Sequence, residues 1–270
     1  STTIGSESAP FGARVTIADD AKLTTVAAPG QISTFQIDAL TTVRAIDKTR
    51  VEALTGLGVS LAIASQSTVM RSAIEVGRAA LSNLSGNLVL DARTDANVVA
   101  GANTLMVAVV SGAAANSSAT LKASNRIALT DATLVGQDVM LLAGQDARRA
   151  PNVLRSVAQA DMTQVALAGL ALPSARSTLT ETNAIDLKGT SRVRAVGSVD
   201  LFAEPGADDA ELERQGSARA STGGLVLNLA LPPYVRAIDG VPSLTSTNTV
   251  TLSDQAVIEA GINDLSLYRV

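Results

Sequence analysis

Apolar residues recur in pairs two positions apart, and the pairs themselves recur along the chain. Ile74 and Val76, Ile127 and Leu129, Ile185 and Leu187, and Val250 and Leu252 form one series of anchors. From 12 to 15 residues after each comes a second pair: Leu88 and Leu90, Val139 and Leu141, Val199 and Leu201, Leu265 and Leu267. Side chains at i and i+2 share one face of a strand, and Thr, Ser, Asp and Lys fill the alternate positions. The spacing therefore predicts short β-strands rather than helices. One short helix is expected, over 208–215 (DDAELERQ).

A fainter copy of the anchor begins at Val15, so successive anchors lie 59, 53, 58 and 65 residues apart. A glycine precedes each second pair, at Gly86, Gly136, Gly197 and Gly261. Upstream of the anchors lie strongly apolar runs at 57–63, 105–110, 165–172 and 225–231. The segments between hold the length variation, and the eight prolines fall in or beside them or at strand edges. A period of about 60 residues signals a stacked array whose units bury their apolar faces on one another.

These patterns predict an all-β, elongated β-solenoid of about four to five repeats of roughly 60 residues, each contributing two or three coils. Residues 1–40 read as a degenerate first repeat or a junction, and 41–270 as the array, a segment of a longer protein. A string of immunoglobulin-like sandwiches would need roughly 100 residues per unit, which the period is too short to supply.

Composition narrows the chemistry. Apolar residues make up 46% of the chain but aromatics only 2%, so the core is built from Ala, Val, Leu and Ile. There is no Cys and no His, which removes disulfides, thiolate metal sites, the usual general base and the commonest zinc ligand. A net charge of −4 with scattered arginines argues against nucleic acid as a partner. No stretch reaches the roughly 20 apolar residues of a membrane-spanning helix.

The repeat block STNTVTLSDQAVIEAGINDLSL and its earlier copies resemble repeats of very large secreted bacterial β-solenoid proteins, the filamentous-haemagglutinin-like adhesins and related giant surface proteins. Gly136, Asp138, Val139, Leu141 and Ala143 carry that likeness most closely. Ala195, Gly197, Val199, Leu201 and Ala203 repeat it with Ser198 in place of Asp, and Ala260, Gly261, Leu265 and Leu267 repeat it with one inserted residue. The resemblance implies a stalk, adhesin or self-associating filament subunit, secreted to the cell surface. Its partners would be further repeats, copies stacked end to end, or a cell-surface glycan or protein. It implies neither a catalytic residue nor a cofactor.

Three local features invite chemistry. The acidic loop with Glu204, Asp208, Asp209, Glu211 and Glu213 offers oxygen ligands for calcium but lacks EF-hand spacing, and reads as a solvated loop. Asp146 beside Arg148 and Arg149 could form part of a glycan-cleaving shelf. With few aromatics and no carboxylates recurring at coil spacing, a surface turn is the better reading. The Ser/Thr runs at 177–183 and 244–249 lack the strict register of an ice-binding face. No phosphate-binding glycine loop is present.

Overall fold

The computed structural model describes residues 1–28, 30–203, 212–223 and 240–262. Every described element is a strand: β1 (Thr2–Ile4), β2 (Phe11–Ile17), β3 (Lys22–Thr25), β4 (Ser33–Val76), β5 (Ala80–Asn83), β6 (Gly86–Thr130) and β7 (Thr133–Gly136). There follow β8 (Val139–Ala143), β9 (Leu154–Lys188), β10 (Arg192–Ala195), β11 (Val199–Ala203), β12 (Leu212–Gly223), β13 (Gly240–Leu252) and β14 (Val257–Glu259). Leu212–Gln215, expected to end a helix, lie in β12, while 208–211 fall outside the described residues. Among the described residues no helix is long and apolar enough to cross a membrane.

Among the described residues all strand pairings are parallel. The larger sheet runs β1-β4-β6-β8-β11, with β9 carried on β6, and β12 and β13 both carried on β9. A smaller sheet runs β14-β10-β7-β5-β3. Antiparallel sandwiches are thereby excluded for the described residues.

The anchors meet directly. Val15 pairs with Ile74, Ile74 with Ile127, Ile127 with Ile185, and Ile185 with Val250. The second pairs do likewise: Leu88 and Val199 both flank Val139, and Leu90 and Leu201 both flank Leu141. The ladder neighbours of these residues thus lie 51 to 65 positions away along the chain. The strands are far longer than the sequence suggested: β4, β6 and β9 run 44, 45 and 35 residues.

A straight strand of 45 residues such as β6 would span about 150 Å. Instead β6 doubles back. The Thr104 hydroxyl donates to the Ala114 carbonyl at 3.1 Å, and the Ser117 hydroxyl to the Ala100 carbonyl at 2.8 Å. The outgoing arm buries Ala96, Val98, Ala100, Ala102 and Met106; the returning arm buries Ala113, Ala115, Ala119, Leu121 and Ala123 against them. The many alanines let two arms approach without bulky filling. A second apolar core, around Ile127, Leu129, Leu134, Val139 and Leu141, packs where the smaller sheet lies.

Two sequence readings shift by a few residues. The glycine column contains Gln137 rather than Gly136: Gln137 N–H donates to the Gly86 carbonyl, Gly197 N–H to that of Gln137, and Gly261 N–H to that of Gly197. The prolines are not confined to strand edges, since Pro173 pairs with Ala115 inside β9. In a parallel strand alternate residues bond to opposite neighbours, so one missing N–H costs a single rung.

Turns are tied layer to layer by aspartates. Asp131 accepts from the N–H and hydroxyl of Thr190 at 2.8 and 3.0 Å, and Asp138 from the N–H of Ser198 at 2.8 Å. Asp19 accepts from the N–H of Arg78 at 2.8 Å. Each carboxylate sits where a Cβ on the preceding glycine (Gly189, Gly197, Gly77) would stand, so Asp in one layer and Gly in the next are jointly required.

Candidate functional site

Between the two apolar cores runs a file of polar side chains, buried at Ser72, Asn125 and Asn183 and exposed at Asn248. Ala13, Ser72, Asn125, Asn183 and Asn248 are successive ladder partners, each two residues before an anchor. Asn125 Nδ2 donates to Asn183 Oδ1 at 2.8 Å, and Asn183 Nδ2 to Asn248 Oδ1 at 2.9 Å. Asn125 Oδ1 accepts from the Thr94 hydroxyl at 2.7 Å. The Ser72 hydroxyl lies 2.7 Å from both Thr41 Oγ1 and the Arg93 carbonyl, and Thr41 Oγ1 accepts the Ala13 N–H at 2.8 Å. The file crosses every layer from β2 to β13.

A branch leaves it at Asn152, whose Oδ1 accepts the Thr94 N–H at 3.3 Å and whose Nδ2 donates to Glu181 Oε1 at 2.7 Å. Glu181 is fully buried, and burial pushes its carboxyl above the usual carboxylate range against the pull of Asn183 and Asn152. Its Oε2 has no hydrogen-bond partner.

A second group lies nearby, where the 144–153 loop leaves β8. Asp91 of β6 is the ladder partner of Asp38 on β4. Burial, then the Asp38 charge, push its carboxyl up to about 7; Arg93 pulls the other way, and Asp146 adds to the rise. Asp146 bonds Arg93 Nη1 at 3.2 Å through Oδ2, while its Oδ1 accepts the N–H groups of Arg148 and Ala150, each at 2.8 Å. Carboxylates therefore do recur in ladder register here, contrary to the sequence reading. The Ala147 backbone donates to Asp91, so the loop lies over this carboxyl.

Asp146, Arg148 and Arg149 form a surface turn. Arg149 stacks over the Phe202 ring with its guanidinium carbon 4.5 Å from the centroid, and reaches Asp200 at 3.5 Å. The Arg149 cation is thus engaged within the protein. A cleft of about 360 Å³ beside the end of β2 is lined by Asp19, Glu75 and Arg126 among others. Arg126 there is bonded twice to Asp186, at 3.0 and 2.7 Å.

Glu204, Asp208, Asp209 and Glu211 fall outside the described residues, and Glu213 lies in β12. Among the described residues no group of three or more acidic side chains is placed to hold a metal ion. The polar file was missed in the sequence. Its signal was the polar residue two before each anchor, Ser72, Asn125, Asn183 and Asn248, inside segments taken only as polar strand faces. What these clusters do chemically is bind protein to protein: Asn125, Asn183, Asn152 and Asp146 hydrogen-bond to other strands or within a loop. No family model, no curated protein and no solved structure matches the chain.

Proposed function

We propose that this chain is a scaffold: an elongated β-solenoid segment of a secreted bacterial surface protein, acting as stalk, adhesin or extracellular filament subunit. The observation that carries the reading is the single column Val15, Ile74, Ile127, Ile185 and Val250, in which the same position of each repeat pairs with its counterpart in the next layer. Backbone hydrogen bonds then run along the stack, and stiffness grows with the number of layers. The polar file supports the same reading. Hydrogen bonds from Asn125 to Asn183 to Asn248 fix the register of each layer on its neighbour, a structural use of buried polarity. The resemblance of the repeats to adhesin repeats supports secretion and a surface location.

Asp38, Asp91, Asp146 and Arg93 favour a second reading, a glycan-binding or glycan-cleaving face, since a carboxyl titrating near neutrality beside other carboxylates suits acid–base work. The loop lying over Asp91 weighs against it.

Electron microscopy of the purified chain at several concentrations tests the scaffold. Rods or fibres with an axial repeat near 4.8 Å in fibre diffraction are expected. A compact particle without that repeat overturns it. Release of sugar from bacterial or host polysaccharide, abolished by Asp91→Asn, would establish the second reading instead.

A further inference from the structure

The arms of β4, β6 and β9 end in uncharged sequence: no Asp, Glu, Lys or Arg occurs in 53–70, 96–121 or 162–175. On the returning arm of β4, Ser60, Ala62 and Ala64 are buried while the alternate Val59, Leu61 and Ile63 face out, Val59 at 86% exposure. Ladder register carries this outer face across three layers. Val59 pairs with Gly112 and Gly112 with Leu170; Leu61 pairs with Ala114 and Ala114 with Leu172. Leu170 and Leu172 are again exposed.

The face therefore has relief. Two ridges, Val59/Leu61 and Leu170/Leu172, stand two strand spacings or about 10 Å apart. Between them lies a trough floored by Gly112 and Ala114. That gap is wide enough for one row of aliphatic side chains, and a ridge is such a row.

We propose that this face is a self-association surface on which a second copy of the chain packs side by side, its ridge seated in the trough and the trough receiving its ridge. A twofold axis between ridge and trough satisfies both contacts at once, as an isologous interface requires. With Leu57 and Val110 at its end, the face leaves on the order of 700–800 Å² of apolar surface open. That exceeds the few hundred Å² normal for a monomer and approaches the roughly 800 Å² each partner gives a stable complex. The lack of charge means that no ion is stripped of water on docking. The face carries neither basic residues nor Trp or Tyr, the groups that seat a protein on a lipid headgroup layer, so a second copy suits it better than a bilayer. The contact is independent of whether layers also stack end to end.

Sedimentation velocity of the chain from about 1 to 100 µM, with Gly112→Leu as the variant, tests it. A Cβ on Gly112 would meet nothing closer than Val59 Cγ2 at 3.8 Å, so the substitution fits the strand while filling the trough. The native chain should show a monomer–dimer equilibrium that Gly112→Leu weakens at least tenfold, although it adds apolar surface. Should Gly112→Leu lose its far-UV strand signal, Leu170→Ser with Leu172→Ser gives the same test from the ridge. A native chain that stays monomeric throughout overturns the proposal, as does a dimer indifferent to these variants. Flotation with phosphatidylcholine vesicles, abolished by the ridge variant, would also overturn it in favour of lipid. Filaments that persist in Gly112→Leu would report end-to-end stacking, a separate contact.

Discussion

Asn183 donates to Asn248 and accepts from Asn125, at 2.9 and 2.8 Å, so one fully buried carboxamide joins three layers of the protein. Asn125, fully buried, depends on it because it cannot reach water at that depth, whereas Asn248 is exposed. Asn183→Ala would leave Asn125 Nδ2 and Asn248 Oδ1 without this partner and open a small cavity. Unsatisfied buried polar groups cost about 1–3 kcal/mol each, so a loss of roughly 2–4 kcal/mol is expected. Thermal unfolding followed by circular dichroism should show Tm lowered by about 5–15 °C. An unchanged Tm would mean that the file contributes nothing to stability.

Gly144 explains why the chain can turn so close to that carboxamide. Its φ is +98°, and a Cβ there would lie 2.7 to 2.9 Å from the side-chain atoms of Asn183. Gly144→Ala thus meets both backbone strain and a collision, and should lower stability by about 2 kcal/mol or more. The two positions touch, so their effects should not add. In the pair Gly144→Ala with Asn183→Ala, the shortened side chain relieves the collision, and a coupling of about 1 kcal/mol or more is expected in a double-mutant cycle of urea melts. Strict additivity would place the cost of Gly144→Ala in the backbone alone.

The apolar columns were legible because period-2 spacing and a 53–65-residue interval are written directly in the side chains, and Ile74, Ile127, Ile185 and Val250 meet as that interval requires. The length of the arms was not. Strands β4, β6 and β9 alternate small buried Ala and Ser with polar or apolar outer residues, and Ala carries little strand signal of its own. The runs at 57–63 and 105–110 looked equivalent, yet Leu57–Ile63 pair with 110–116, five positions further on. Hydropathy equates them, whereas register is set by the buried face, which in these arms is mostly alanine. The carboxyl of Asp91 was invisible for another reason: its neighbour Asp38 lies 53 residues back, and only the ladder brings them together.

Asp91 makes stability depend on pH in the less usual direction. Its carboxyl, pushed up to about 7 by burial and by Asp38, resists ionisation in the folded chain, whereas in the unfolded chain it ionises near 3.8. Between those values the folded state holds more protons, so this group's contribution is fullest below 3.8 and is lost as pH rises towards 7. Asp91→Asn stays neutral and can still accept the Ala147 N–H. The variant should match the native chain near pH 4 and exceed it at pH 8 by on the order of 2–4 kcal/mol. Urea midpoints across pH 4–8 read this difference, and parallel curves for the two proteins would refute the assignment.

Asp131 works in the opposite sense. The N–H of Thr190, then its hydroxyl, hold the Asp131 carboxyl below the usual range, with Arg78 helping. A depressed carboxyl stabilises the fold above its unfolded value and loses that contribution as pH falls through the folded one. The turn is exposed, so the effect belongs to the local contact between layers, not to global stability. Asp131→Ala should speed hydrogen exchange at the Thr190 amide at pH 7 several-fold while leaving amides of the buried strand β8 unchanged. Exchange at Thr190 in the native chain should rise towards the variant's protection as pH falls below the carboxylate range, after correction for intrinsic rates. Gly189, whose φ is +64° and whose Cβ position the Asp131 carboxylate already occupies, links the two turns. Gly189→Ala should accordingly deprotect Thr190 at least as strongly as loss of the carboxylate. A Thr190 amide equally protected in all three proteins would show that the backbone ladder alone holds the turns together.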